Sequence, residues 1–250
     1  VILAGNWKMH KTNQEAKLFV NQLVNKLAGK RFKIVVCPPF VSLADVVELT
    51  RGTGISVGAQ NCHFERSGAF TGEVSPAMLK AIGVEFVIIG HSERRKYFNE
   101  TDEMINKKLK AAIKEGLRPI LCVGETKEER EKGLTFCVVE MQIRQALYGL
   151  SRQEVQNLVI AYEPVWAIGT GIVAKPEQAQ EAHAFIRKLL RELYDEELAE
   201  STPILYGGSI KPDNFFAIMA QPDVDGGLVG GASLDEQFVK LAGIVQTFVE

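Results

Sequence analysis

The sequence lacks a Cys-x-x-Cys pair, and its four cysteines, Cys37, Cys62, Cys122 and Cys137, have no histidine at zinc-ligand spacing. That argues against a zinc ribbon or a thioredoxin-type redox motif, so the cysteines read as reduced thiols and no metal site is expected. No apolar run approaches the roughly 18 residues that a membrane-spanning helix needs, and the N-terminus has no charged-then-apolar leader pattern. The expected compartment is therefore the cytoplasm. A Gly-x-Gly-x-x-Gly turn is also missing, which counts against a doubly wound dinucleotide-binding sheet. Charge of either sign is barely in excess: 29 Lys and Arg against 31 Asp and Glu leave a net charge of −2. Neither nucleic acid nor a membrane is an expected partner. No linker or low-complexity stretch interrupts the chain, so residues 1–250 are expected to form one domain.

What the chain does contain is a repeated unit. Hydrophobic residues make up 46% of its 250 residues, enough for one large core. Short runs of Val, Ile, Leu and Ala recur at 2–4, 34–37, 55–59, 86–89, 120–123, 158–162, 204–206 and 227–229. None alternates apolar with polar, as expected of strands buried on both faces. Between them lie stripes of helical period, such as Ala16, Phe19, Val20, Leu23, Val24 and Leu27, or Ala182, Phe185, Ile186, Leu189, Leu190 and Leu193. Thr12 with Glu15, Thr126 with Glu129, and Ser75 before Pro76 mark helix starts. Eight strand-then-helix units over this length predict an α/β fold of the (β/α)8 barrel class.

In such a barrel the loops at the C-terminal ends of the strands converge on one mouth, where catalytic groups sit. Asn6 and Lys8 follow the first run, Gln60 and Asn61 the third, and His91, Ser92 and Glu93 the fourth. Glu163 follows the sixth, Gly207, Gly208 and Ser209 the seventh, and Gly230 and Gly231 the eighth. Pro164 restricts Glu163 to extended backbone, and the apolar neighbours Tyr162, Val165 and Trp166 would strip its solvation and favour proton uptake. That suits a general base, the alternative being a rim carboxylate that pairs with a cation. His91 opens a turn into a helix whose N-terminus would favour the neutral ring, able to donate a hydrogen bond to a carbonyl oxygen; otherwise it is a structural histidine. His183 reads as a solvated helix residue. Lys8, directly after a buried strand, needs an anionic partner, for which Glu93 or a substrate oxyanion would serve, unless it runs out to solvent. Glycine pairs after the last two strands let backbone amides approach an anion closely and point to phosphate, with Gly230 to Ser233 opening a short helix. Residues 164–175 read as a lid, with Trp166, Ala167 and Ile168 as an apolar tip and Gly169 and Gly171 as its pliable points.

Taken in order, Ala4-Gly5-Asn6-Trp7-Lys8-Met9, Gly90-His91-Ser92-Glu93-Arg94-Arg95, the stretch from Ala161 through Glu163 and Pro164 to Gly171, and Tyr206-Gly207-Gly208-Ser209 resemble the triosephosphate isomerase family over essentially the whole chain. The resemblance implies a TIM barrel that interconverts dihydroxyacetone phosphate and glyceraldehyde 3-phosphate through an enediolate, in glycolysis and gluconeogenesis, without a cofactor. It implies Glu163 as the base, His91 as the electrophile, Lys8 and Asn6 as stabilisers of the enediolate, and Glu93 as the residue that orients them. Gly169, Ser209, Gly230 and Gly231 would bind the substrate phosphate, and residues 164–174 would close over it. It further implies a homodimer in which the loop from Gln60 to Glu73 enters a pocket of the neighbouring subunit, with Thr71 nearest the partner's site. Two places depart from the common pattern. His10 stands where Asn often follows the Lys-Met pair, and Ile172-Val173-Ala174 stands where Lys-Thr-Ala often ends the lid, which puts the hinge rates in question because β-branched residues narrow the backbone's freedom.

Overall fold

A computed structural model describes residues 1–169 and 173–249. The first half runs β1 (Ile2–Asn6), α1 (Asn13–Leu27), β2 (Lys33–Cys37), α2 (Leu43–Thr50), β3 (Ile55–Ala59), α3 (Pro76–Ala81), β4 (Phe86–Ile89), α4 (Ser92–Tyr97), α5 (Asp102–Lys114) and β5 (Arg118–Val123). The second half runs α6 (Lys127–Glu131), α7 (Thr135–Ala146), β6 (Val159–Tyr162), α8 (Pro176–Leu193), α9 (Glu196–Ser201), β7 (Ile204–Tyr206), α10 (Pro212–Met219), β8 (Gly226–Val229) and α11 (Gln237–Gln246). All eight strands are parallel, each pairs with the next, and β8 returns to β1 to close the barrel. The chain is the (β/α)8 barrel its sequence predicts.

The helix starts follow from capping chemistry. The Thr12 hydroxyl accepts from the Glu15 amide while the Glu15 carboxylate accepts from the Thr12 amide at 2.7 Å, and Thr126 and Glu129 repeat the arrangement. Ser75 caps α3, with Pro76 in the first turn where its missing N–H costs nothing. Each such cap contributes about 1 kcal/mol. The stripe Ala16, Phe19, Val20, Leu23 and Leu27 turns α1 onto the sheet. On α8 the buried face is Ala179, Ala182, His183, Ile186, Leu189 and Leu190. His183 is thus not the solvated residue the sequence suggests: it follows Ala179 by four and precedes Ile186 by three, and this places it squarely on the packed face.

Both faces of the strands are buried. Ile2, Ala4, Val35, Cys37, Phe86, Ile88, Ile120, Cys122, Val159, Ala161, Leu205 and Leu228 fill the barrel's interior, and the alternate strand residues pack under the helices. β1 runs two residues past its apolar stretch because Gly5 and Asn6 still pair in register with Val36 and Cys37, and ladder bonds do not require apolar side chains. Closure brings β8 so near β1 that a Cβ on Gly226 would lie 1.8 Å from the carbonyl oxygen of Ile2. Only glycine fits at that seam.

Candidate active site

The corner after β1 is built around an unusual backbone. Lys8 has φ +52°, a left-handed conformation that costs a non-glycine residue about 1–2 kcal/mol. The Asn6 side-chain oxygen accepts the Lys8 amide at 3.0 Å, which fixes that turn from one side. The Lys8 ammonium then reaches across to donate to Glu93 Oε1 at 2.6 Å, the pairing that the sequence suggests. Both side chains remain partly exposed, so the pair orients Lys8 more than it stabilises the fold.

Glu163 leaves the end of β6 with its side chain only 2% exposed. One carboxylate oxygen accepts from the Ser92 amide at 2.9 Å; the other lies 2.9 Å from His91 Nε2 and accepts from the Ser92 hydroxyl at 3.2 Å. His91 is the N-cap of α4, and its Nδ1 accepts from the Glu93 amide at 3.2 Å. A proton on the neutral ring therefore sits on Nε2, facing Glu163. Burial alone would raise the Glu163 pKa, but the His91 ring, the Ser92 amide and the Lys8 charge outweigh it and hold this carboxyl below its ordinary value. Burial likewise opposes a charged His91, yet the facing carboxylate outweighs it and raises the pKa of the ring. The proton uptake by Glu163 that its apolar sequence neighbours suggest is thus not its resting state, because α4 presents donors to it that a reading of local sequence does not show.

These groups open onto a cavity of about 340 Å³. Asn6, Lys8, His91 and Glu163 line it together with Gly169, Gly207, Gly208, Ser209, Gly230 and Gly231. Ser209 is tied down by Asn214, whose amide donates to the Ser209 carbonyl at 3.0 Å and whose oxygen accepts from the Lys211 amide at 2.9 Å. Gly231–Ser233 form a short 3₁₀ turn, matching the short helix expected there. Gly207 leaves room for the base, since a Cβ there would stand 3.1 Å from Glu163 Cγ. Ile210, Lys211 and Gln237 also reach the cavity, and sequence reasoning passes over them. A signal for Lys211 existed: a lysine at the start of α10 opposes the helix dipole and is better tolerated beside an anion. Glu93 stands behind Lys8 and His91 and does not line the cavity.

The segment after Glu163 is anchored by a residue the sequence did not single out. Val165–Ala167 form a 3₁₀ turn, and Trp166 Nε1 donates to Glu125 at 2.9 Å. Glu125 is fully buried and also accepts from the Tyr162 hydroxyl at 3.0 Å and from Arg130 at 2.9 Å. Of the expected lid, Thr170, Gly171 and Ile172 lie outside the described residues; Val173 is exposed and Ala174 is buried.

Elsewhere, the loop from Gln60 to Glu73 is exposed from residue 65 onward, with the His63 ring against Phe64 and Phe70 at 4.3 and 4.4 Å. Burial pushes the Cys37 and Cys62 thiols up to about 12. Among the described residues no group of three His, Cys, Asp or Glu side chains is placed to hold a metal ion, and no helix is long and apolar enough to cross a membrane.

Comparison with known proteins agrees with this geometry. Residues 1–245 match the family model for triosephosphate isomerase. The triosephosphate isomerase of Carboxydothermus hydrogenoformans is 58% identical over 233 residues, which cover 93% of each chain. That of Caldanaerobacter subterraneus subsp. tengcongensis is 54% identical over 241 residues, covering 96% of this chain and 97% of its own. The Clostridium tetani enzyme is 54% identical over 233 residues, 93% of this chain and 91% of its own.

Proposed function

The chain belongs to the triosephosphate isomerase family, and from that premise we propose how its residues divide the work of the reaction. The reaction is the interconversion of dihydroxyacetone phosphate and glyceraldehyde 3-phosphate, a step of glycolysis and, in reverse, of gluconeogenesis. Substrate phosphate lies against the backbone amides of Gly169, Ser209, Gly230 and Gly231, with Lys211 adding charge at the rim. The three-carbon body then spans the cavity toward Lys8, Asn6, His91 and Glu163. Glu163 removes a proton from the carbon beside the carbonyl, the C–H electrons form the carbon–carbon double bond, and the carbonyl electrons move to oxygen. The Lys8 ammonium and the His91 N–H stabilise that developing oxyanion. His91 passes a proton between the two oxygens, and Glu163 returns its proton to the adjacent carbon.

Glu163 has to leave Ser92 and His91 to reach the substrate. Its departure removes the main carboxylate that favours a charged His91; burial, the Lys8 charge and the Glu93 amide on Nδ1 then favour the neutral ring against the Glu93 carboxylate alone. The neutral donor that electrophilic catalysis requires is thereby available at the moment of proton transfer. The observation that carries this reading is the convergence of Asn6, Lys8, His91 and Glu163 on one cavity that the glycine pairs after β7 and β8 also line. Glu163→Gln is expected to fold as the parent does and to lower kcat by roughly 10² to 10⁴, the range for a lost general base. A variant with parental turnover would remove Glu163 from this role.

We also infer a homodimer joined through the loop from Gln60 to Glu73. Phe70 of that loop is exposed, as are Met9, beside Lys8, and Tyr97 and Phe98, at the C-terminal end of α4. Apolar side chains of this size left exposed suit an interface.

A further inference from the structure

We propose that Gln60 is a positioning residue for catalysis, because its side-chain amide holds the carbonyl end of the left-handed Lys8 backbone that aims the ammonium into the active-site cavity. Gln60 stands one residue past β3, which ends at Ala59. Its Nε2 donates to the carbonyl oxygen of Lys8 at 2.8 Å and to that of Cys37, the last residue of β2, at 2.9 Å. A primary amide nitrogen carries two N–H groups, and both are spent here on backbone carbonyls. The Cys37 carbonyl also accepts the Trp7 amide at 3.1 Å, so the same oxygen ties down the residue before Lys8.

A left-handed lysine persists only when its surroundings determine it from more than one side. Asn6 holds the Lys8 N–H at 3.0 Å, and Gln60 holds its C=O. With the peptide groups on both sides of the Lys8 Cα fixed, the direction of its Cβ is fixed too, and the side chain leaves toward Glu93 and the cavity. Gln60 does not line that cavity. Its effect on the reaction therefore passes through Lys8, and this inference rests on the role given to Lys8 above.

The test is a double-mutant cycle. Gln60→Met keeps the length of the side chain and removes both donors. Gln60→Met alone is expected to raise KM for glyceraldehyde 3-phosphate and lower kcat, with kcat/KM falling roughly 10-fold to 100-fold, as a displacement of about 1 Å at a catalytic group does. Sedimentation and thermal unfolding are expected to show the parental assembly. In a Lys8→Ala background the same change is expected to cost less than about 2-fold, because the group it positions is gone. Losses that multiply in the double variant, or parental kinetics in Gln60→Met, overturn the proposal. Parental kinetics in Lys8→Ala itself overturn the reading of Lys8 instead, and so the two failures are distinct. Should Gln60→Met not fold, Gln60→Glu carries the test. Its protonated acid keeps one O–H donor, whereas its carboxylate faces two carbonyl oxygens, so activity relative to the parent is expected to drop as pH rises. A ratio that is flat with pH contradicts the proposal.

Discussion

In the resting enzyme Glu163 and His91 face each other at 2.9 Å, and each shifts the other's proton affinity. His183 behaves in the opposite way. It is fully buried on α8, its Nδ1 lies 3.1 Å from the Asp223 carbonyl oxygen, and burial lowers its pKa from 6.5 to about 4. A histidine with a depressed folded pKa binds a proton more readily in the unfolded chain. Its contribution is complete above pH 6.5 and is lost as pH falls toward about 4, a swing of roughly 3 kcal/mol. Replacing His183 with Gln is expected to flatten the parent's loss of thermal stability between pH 6.5 and 4. Parallel profiles for parent and variant would show that His183 is not the group responsible. The residues legible in sequence, Asn6, Lys8, His91 and Glu163, share one property: each sits at or just past a strand end, where the barrel rule alone places it. Gln60 also stands just past a strand end, yet its role was not legible, nor were those of His183 and Glu125. Their partners are the Asp223 carbonyl, the carbonyls of Lys8 and Cys37, and Tyr162, Trp166 and Arg130, and most of these lie far away in sequence.

The segment from β6 through the 3₁₀ turn Val165–Ala167 carries both Glu163, the proposed base, and the first part of the expected lid. Glu125 holds it from the neighbouring loop with bonds from Tyr162, Trp166 and Arg130. A buried carboxylate that serves these donors, and the Thr135 hydroxyl at 3.4 Å, is costly to remove, since each donor is left unsatisfied. Glu125→Leu is expected to lower stability by about 3 kcal/mol or more in urea unfolding at fixed protein concentration, and to raise KM for the triose phosphates. A loss below about 1 kcal/mol with unchanged KM would show that the segment stands without this anchor. At this scale the sequence was legible where the chemistry is local. The capping boxes at Thr12 and Thr126 and the eight strand positions depend on neighbours within a few residues, and the largest differences are two residues, at the end of β1 and at the start of β5, where the strand runs on past its apolar stretch. Glu125 sits among Glu128, Glu129 and Glu131, and nothing in that acidic run distinguishes the one carboxylate that points inward.

As a whole molecule the chain is one closed parallel barrel, and the period of its apolar runs foretold this because burial on both faces leaves no alternation to misread. Its assembly depends on surfaces rather than on the core. If the loop from Gln60 to Glu73 joins two copies, placing a charge at its apolar tip with Phe70→Asp is expected to shift sedimentation from dimer to monomer and to reduce activity. A parental molecule that sediments as a monomer, or a Phe70→Asp variant that still sediments as a dimer, would contradict the proposed interface. Glu163 is proposed to move a carbon-bound proton, and deuterium oxide follows that proton directly. When the parent converts dihydroxyacetone phosphate in deuterium oxide, the glyceraldehyde 3-phosphate formed is expected to carry deuterium on carbon, since the proton held on Glu163 exchanges with solvent. In Glu163→Gln, label incorporation and isomerisation are expected to fall together by roughly 10² to 10⁴. Label entering at the parental rate in the variant would contradict the claim that Glu163 is the base.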